Sequence, residues 1–245
     1  MNPVARVVST VALAATGFFT LYAFQTLPAN AQLAIHWDIN GVADGFAGRE
    51  ALFILPAVFA LTAALILLAI KLDPKRANIV RSAEAIGYVA MGLVLLFAVT
   101  QSAIINSGFG EAARLDRAAP IALGAFFALL GYVMPQIKQN YTIGVRLPWT
   151  LESEKAWDAS HAFIGRAWIS VGLTTAGLAA IPANVVDLGG APIALLLGGL
   201  AVSTAAAVVI AYRTWRDDTR PTRPKRPNRP TRPKRRSGRT RSSAR

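Results

Sequence analysis

Tyr141, Arg146, Trp149, Trp157 and His161 fall within about two dozen residues of one another, in a polar stretch set between two long apolar runs. A guanidinium offers paired donors to a carboxylate or phosphate, an imidazole can carry a proton or hold a metal, and indole and phenol rings seat at membrane interfaces. Catalysis asks for more, namely a nucleophile within reach of a base. No such pair is spelled here, and the absence of cysteine excludes a thiol nucleophile, a disulfide and a thiolate metal site. The reading is of a contact surface, with no catalytic residue, no metal and no cofactor.

A second polar cluster runs Ala34-Ile35-His36-Trp37-Asp38-Ile39-Asn40-Gly41-Val42-Ala43-Asp44-Gly45-Phe46. Asn40-Gly41 and Asp44-Gly45 are turn dipeptides. Ile35, Trp37 and Ile39 alternate with His36, Asp38 and Asn40, which predicts a short extended segment entering a tight turn. A calcium loop starting at Asp38 fails, because Ala43 stands where glycine is required and Arg49 where a bidentate acid is required. Zinc fails too, since His161 is expected across the membrane from His36. A hydrogen-bonded loop with Trp37 at the headgroups is the plainer reading, and ligand or peptide contact the sharper one.

The elements that must position these clusters follow from composition. Of 245 residues 53% are hydrophobic and 16% charged, too apolar for an ordinary soluble domain. Six stretches, about 5–27, 51–72, 83–106, 118–137, 162–183 and 191–213, can each cross a hydrocarbon core that needs roughly 20 helical residues. Each must be helical, because an open strand leaves backbone groups unpaired in lipid. Pro56, Gly87, Gly92, Gly124, Gly131, Gly172, Gly198 and Gly199 lie inside them and permit close helix packing. The fold class is all-α, a polytopic bundle of six transmembrane helices. Arg6, the apolar run and Ala29-Asn30-Ala31 imitate a secretory leader, but the run from Val7 to Phe24 is longer than a leader core, so the first segment reads as a retained helix.

Short loops bearing Lys71, Lys75, Arg76 and Arg81, and Lys138, Arg146, Lys155 and Arg166, alternate with loops bearing Arg49, Arg114 and Arg117. The richer loops face the cytoplasm, which puts both termini inside. From Thr219 onward the chain has 12 Lys or Arg and no acid, and Thr222-Arg223-Pro224-Lys225-Arg226 recurs nine residues later. Such a tail is read as disordered and as an anchor on anionic lipid headgroups, at about 1 kcal/mol per basic residue near the surface. Nucleic acid is the weaker reading, since no aromatic is interleaved after Trp215. The chain thus divides into a first helix (1–27), the outer loop with helices two to four (28–137), the inner loop with helices five and six (138–213), and the basic tail (214–245).

In the inner loop Pro148 drives Leu147 toward extended geometry, and Thr150 can cap a helix with Glu152 and Glu154 in its first turn. Trp157, His161 and Gly165 are spaced i, i+4, i+8 and share a face. Arg146 is placed to pair with Asp158 or Glu154, or to hold an anionic headgroup.

Asn140-Tyr141-x-Ile143-Gly144-x-Arg146-x-Pro148-Trp149-Thr150-Leu151, followed by Trp157, His161 and Gly165, resembles the signature of the SdpI family of bacterial membrane proteins. The outer Ile35-His36-Trp37-x-x-Asn40-Gly41-x-x-Asp44-Gly45 is similar to the uncharacterised domain that often precedes that signature, and together they cover roughly residues 27–185. Leu147 departs from the usual threonine, Arg166 from a common lysine, and the tail is an addition. The resemblance implies a multi-pass protein of the bacterial cell membrane that protects against a secreted membrane-active peptide toxin outside and relays its presence to a cytoplasmic repressor protein inside. A small transporter or channel-like protein is the alternative, resting on Glu84, Arg166, Gln101 and Asn106 near span ends.

Overall fold

A computed structural model describes residues 2–110 and 115–220. Six helices are long and apolar enough to cross a membrane. They are α1 (Pro3–Thr26), α2 (Ile54–Leu72, entered through a 3-10 turn Arg49–Phe53), α4 (Ala83–Gly108), α5 (Ala118–Val133, continued by a 3-10 turn Met134–Gln136), α7 (Glu154–Ala180) and α8 (Ala191–Asp218). Two short helices, α3 (Arg76–Arg81) and α6 (Pro148–Glu152), lie in connections, and a hairpin of β1 (Gln32–Trp37) and β2 (Ala43–Gly48) follows α1. The six expected spans are all present. The fifth begins earlier than its apolar run suggests, because α7 starts at Glu154 and carries Trp157 and His161 within its first two turns. The tail from residue 221, read as disordered, lies outside the described residues.

The helices pack in the order α1, α4, α5, α7, α8, with α2 leaning on α4. The tightest crossing is α5 against α7, where glycines meet in reciprocal pairs. A Cβ on Gly131 would sit 2.5 Å from the Gly165 carbonyl, and one on Gly165 would sit 2.7 Å from the Gly131 carbonyl. Gly124 and Gly172 repeat the arrangement one heptad away. Lipid offers no hydrophobic drive between helices, so association rests on such close backbone approach.

Gln101 on α4 is fully buried and donates to Thr20 Oγ1 of α1 (3.2 Å) and to the Leu52 carbonyl (2.9 Å). That bond joins α1, α4 and the start of α2 beneath the hairpin, whose Leu33 packs with Leu27, Leu52, Ile104 and Ile105.

Two predictions follow from this packing. Because the chain has no cysteine, single cysteines at the exposed positions Val42 and Lys138 should react with an impermeant reagent from opposite sides of the membrane; reaction of both from one side would refute the topology. Gly131→Val should cost about 1–3 kcal/mol or more by forcing α5 off α7, read as a lowered unfolding midpoint in detergent. Gly177→Ala, which meets nothing within 4 Å, should leave that midpoint in place.

Candidate functional site

The two polar clusters sit at opposite ends of α4. Ser82, just before α4, accepts a hydrogen bond from the Lys138 N–H (2.8 Å), while Ser107 near its other end accepts one from the Ala34 N–H (2.9 Å). The 26 residues of α4 span about 39 Å, more than a hydrocarbon core of about 30 Å.

The inner loop is a self-bonded clasp. Asn140 is fully buried, and its Oδ1 accepts from the Thr142 and Ile143 N–H groups (2.8 and 2.7 Å) while its Nδ2 donates to the Lys138 carbonyl (2.8 Å). That turn throws Gly144 to a φ of +119°, against His161 and Trp157; a Cβ there would stand 2.5 Å from His161 Nε2. The next N–H, of Val145, donates to His161 Nε2 (3.1 Å). With Nε2 accepting, the ring proton belongs on Nδ1, which donates to the Trp157 carbonyl (2.8 Å). The imidazole stacks on Trp157 with ring centroids 4.0 Å apart, and the indole N–H donates to the Ile137 carbonyl (2.8 Å). Trp157, His161 and Gly165 do share a face, and its work is to hold the loop as well as to meet α5.

Thr150 does not cap α7; it sits in the first turn of α6 and binds back to that helix's N-cap residue. Its hydroxyl accepts from the Leu147 N–H (2.8 Å) and faces the Val145 and Leu147 carbonyls, closing the loop onto α6. The cap of α7 is Ser153, whose hydroxyl accepts from the Ala156 N–H (3.1 Å) and donates to Asp218 Oδ2 (2.8 Å). The chain therefore breaks between α6 and α7 instead of running as one helix. Lys155 pairs with Asp218 (2.6 Å), and Trp149 meets Tyr212 edge to face. Pro148 opens α6 and Leu151 lies within it, packed on the core beside Trp157.

Arg146 binds neither Asp158 nor Glu154. Its Nη1 donates to the Tyr141 carbonyl (2.9 Å), and its side chain is exposed together with that of Tyr141. These two form the outward rim of the clasp.

Several members of the clasp escaped the sequence reading. Asp73, past the end of α2, is buried; its Oδ2 accepts from the Tyr141 N–H (2.9 Å) and Thr142 Oγ1 (2.7 Å), and its Oδ1 from the Lys75 N–H (2.7 Å). Gln139 bonds Lys75 Nζ through its carbonyl oxygen and the Thr150 carbonyl through its nitrogen (2.6 Å), and Asn78 reaches the Gln139 carbonyl (2.7 Å). The one local signal was Asp73-Pro74 directly after an apolar span, a turn pattern.

The outer cluster is a hairpin pinned by a bulge. Ala34 faces Phe46 and His36 faces Gly45, so Ile35 is the extra residue, and Asp44 is skipped between Gly45 and Ala43. The simple alternation fails at that bulge: Ile35 is 44% and Ile39 54% exposed, while consecutive Leu33 and Ala34 are buried. The bulge sets His36 Nδ1 2.5 Å from Asp44 Oδ1. Gly45 is bare because His36 lies across it. Trp37 packs against the Leu33 and Leu52 core.

At the tip, Asp38 Oδ1 accepts from the Val42 and Asn40 N–H groups (2.8 and 2.9 Å). The Val42 bond is the largest influence on this carboxyl; burial opposes it, and the Asn40 bonds and nearby His36 add to it, so the group is held below the usual carboxylate range. Gly41, at a φ of +72°, lies against the Leu115-Asp116 backbone and accepts from the Leu115 N–H (2.8 Å). A Cβ on Gly190, just before α8, would stand 3.1 Å from Asn40 Oδ1. A polar recess of about 240 Å³ lies here, bordered by Asn40, Asp116, Arg117 and Asp187. Arg117 itself is spent on the Ala179 and Ala180 carbonyls at the end of α7 (3.1 and 2.7 Å).

Fold and sites define a multi-pass helical membrane protein with an outer hairpin and a hydrogen-bonded inner loop. Residues 136–212 match the model of the SdpI/YfhL protein family, and residues 11–60 match that of a domain of unknown function, DUF1648. The two matches reach beyond the expected 27–185 at both ends, into α1 and through most of α8, and leave residues 61–135 between them unmatched. The chain is similar to Immunity protein SdpI of Bacillus subtilis (strain 168), at 26% identity over 205 residues, covering 82% of this chain and 93% of that protein. No solved structure matches significantly.

Gly144→Ala should dislodge the loop, since the new methyl meets His161 Nε2 and the left-handed φ disfavours any side chain. The expected loss is about 1–3 kcal/mol. It is read as faster proteolysis after Arg146 in inside-out vesicles, with insertion unchanged.

Proposed function

We propose that this chain is an immunity-type membrane protein, protecting its cell against a membrane-active peptide toxin and relaying the toxin's presence to a cytoplasmic repressor. The observation that carries the reading is the similarity to Immunity protein SdpI along 93% of that protein's length, beside the two family-model matches, one over the hairpin (residues 11–60) and one over the inner loop (residues 136–212). In this reading the hairpin, with His36, Trp37, Asn40, Gly41, Asp44 and Gly45, is the outer contact surface. The rim of the inner loop, Tyr141 and Arg146, is the cytoplasmic one, and Asn140, Gly144, Pro148, Trp149, Thr150, Leu151, Trp157, His161 and Gly165 shape it. The basic tail anchors on anionic headgroups, and no residue is assigned to catalysis.

The exposed pair supports a contact role because Arg146 keeps most of its guanidinium donors free of carboxylates while the Tyr141 carbonyl fixes its direction. Such a fork suits a planar acceptor in a partner, and lysine cannot reproduce it. The transporter alternative draws less support, since Glu84 accepts a bond from Asn2 at the rim of α4 (3.3 Å) and the Gln101 side-chain amide nitrogen is bonded to Thr20 and the Leu52 carbonyl.

The test pairs membrane abundance with survival of toxin exposure in a deletion strain. Arg146→Lys is expected to keep normal abundance and lose roughly tenfold or more in protection or repressor release, the scale of one lost charge-assisted bond. His161→Ala should lower abundance and protection together. Full protection by Arg146→Lys would remove the inner rim from the working surface, and substrate uptake without any survival phenotype would favour a transporter.

A further inference from the structure

The hairpin and the inner loop are also joined by one segment that is gripped at its ends and scarcely touched between them. β2 passes into the 3-10 turn Arg49–Phe53 and then into α2 with no intervening loop. None of the 19 residues of α2 is buried, whereas neighbouring α4 buries Gly92, Val94, Phe97 and Gln101. Along its middle α2 meets the bundle at the Phe59–Phe97 stack, with centroids 4.5 Å apart. At its outer end Leu52 is fully buried in the hairpin core, and its carbonyl is held by Gln101. At its inner end Asp73 holds Tyr141 and Thr142, with Thr142 Oγ1 also near the Ala69 carbonyl (3.4 Å).

A stiff helix fixed by directional bonds at both ends and bathed in lipid along its length passes displacement from one end to the other, as in shear and hinge transitions. We propose that α2 is a strut coupling the position of the outer hairpin to the conformation of the inner loop, with the Asp73 carboxylate as its latch. When the hairpin shifts, Asp73 withdraws from the Tyr141 N–H and the Thr142 hydroxyl. The loop keeps the bonds of Asn140, Gln139, Thr150 and His161, but the Tyr141 and Arg146 rim loosens. This goes beyond the proposed function, because it holds whatever ligand moves the hairpin. It also assigns Asp73 a positioning role that neither polar cluster contains.

The test uses the full chain in lipid nanodiscs, which leave both faces accessible. A Tyr141→Cys reporter keeps the latched backbone N–H, and the rate of its modification by a polar maleimide is measured. An Arg213→Cys reporter on α8 serves as control. Asp73→Asn should speed modification at position 141 by roughly tenfold, the effect of losing charge-assisted bonds, and leave position 213 unchanged. Gly41→Val, which drives the hairpin tip off Asp116 at the other end of the molecule, should speed modification at 141 by about threefold or more with Asp73 present. It should add nothing when Asp73 is already Asn. Should Gly41→Val fail to accumulate, Asp38→Ala, which strips the tip of its side-chain bonds, carries the same two readings. The proposal is overturned if the hairpin change leaves position 141 unaffected, if it acts equally in both backgrounds, or if position 213 rises in step.

Discussion

Backbone contact between α5 and α7 is the constraint from which the inner half of the molecule is built. Carbonyl oxygens of Gly131 and Gly165 each occupy the place a side chain would take on the other. That meeting fixes both the separation and the axial offset of the two helices. With the offset set, the turn that ends α5 delivers the Ile137 carbonyl to the Trp157 indole, and the chain beyond it returns over His161. A wider crossing would leave these groups out of reach of one another, and a buried polar group without its partner is costly.

The inner loop solves an accounting problem. Residues 137–147 have no regular secondary structure, so their N–H and C=O groups must find partners singly. Asn140, Thr150, His161 and Asp73 supply most of them, and three of these four side chains are fully buried. Buried side chains with satisfied donors and acceptors make a rigid mount. Tyr141 and Arg146 stand outside it, exposed and held by one bond between them. A rigid base beneath an exposed, charged rim is the arrangement expected of a contact surface.

The outer half relies on a different device. A hairpin alone is marginal in water, and this one is stabilised by what lies beneath and beside it. Leu33 packs into the ends of α1 and α4, Ala34 bonds Ser107, and Arg49 lies over the Phe24 ring, 4.8 Å from its centroid. Its tip meets the connections leading into α5 and α8. Three outer segments thus converge on Asn40 and Gly41, so a ligand on the tip would be felt by more than one helix.

Apolar length by itself determined the six spans, because a chain crossing lipid must be helical and must be long enough. The turn at Asn40-Gly41 and the shared face of Trp157, His161 and Gly165 were equally legible, since local propensity and the 3.6-residue period act within a few residues of sequence. Which of Thr150 and Ser153 caps α7 was not: both offer the same hydroxyl, and the choice depends on Asp218 and the Val145 carbonyl reaching them from elsewhere. The bulge at Ile35 was hidden for a like reason, being a matter of register between two strands. Asp73 could not be read as part of the inner loop, 68 residues away in sequence from Tyr141. Only the tertiary structure brings that carboxylate to its partners, because hydrogen bonding depends on distance and direction in space, and composition and spacing encode neither across separate helices.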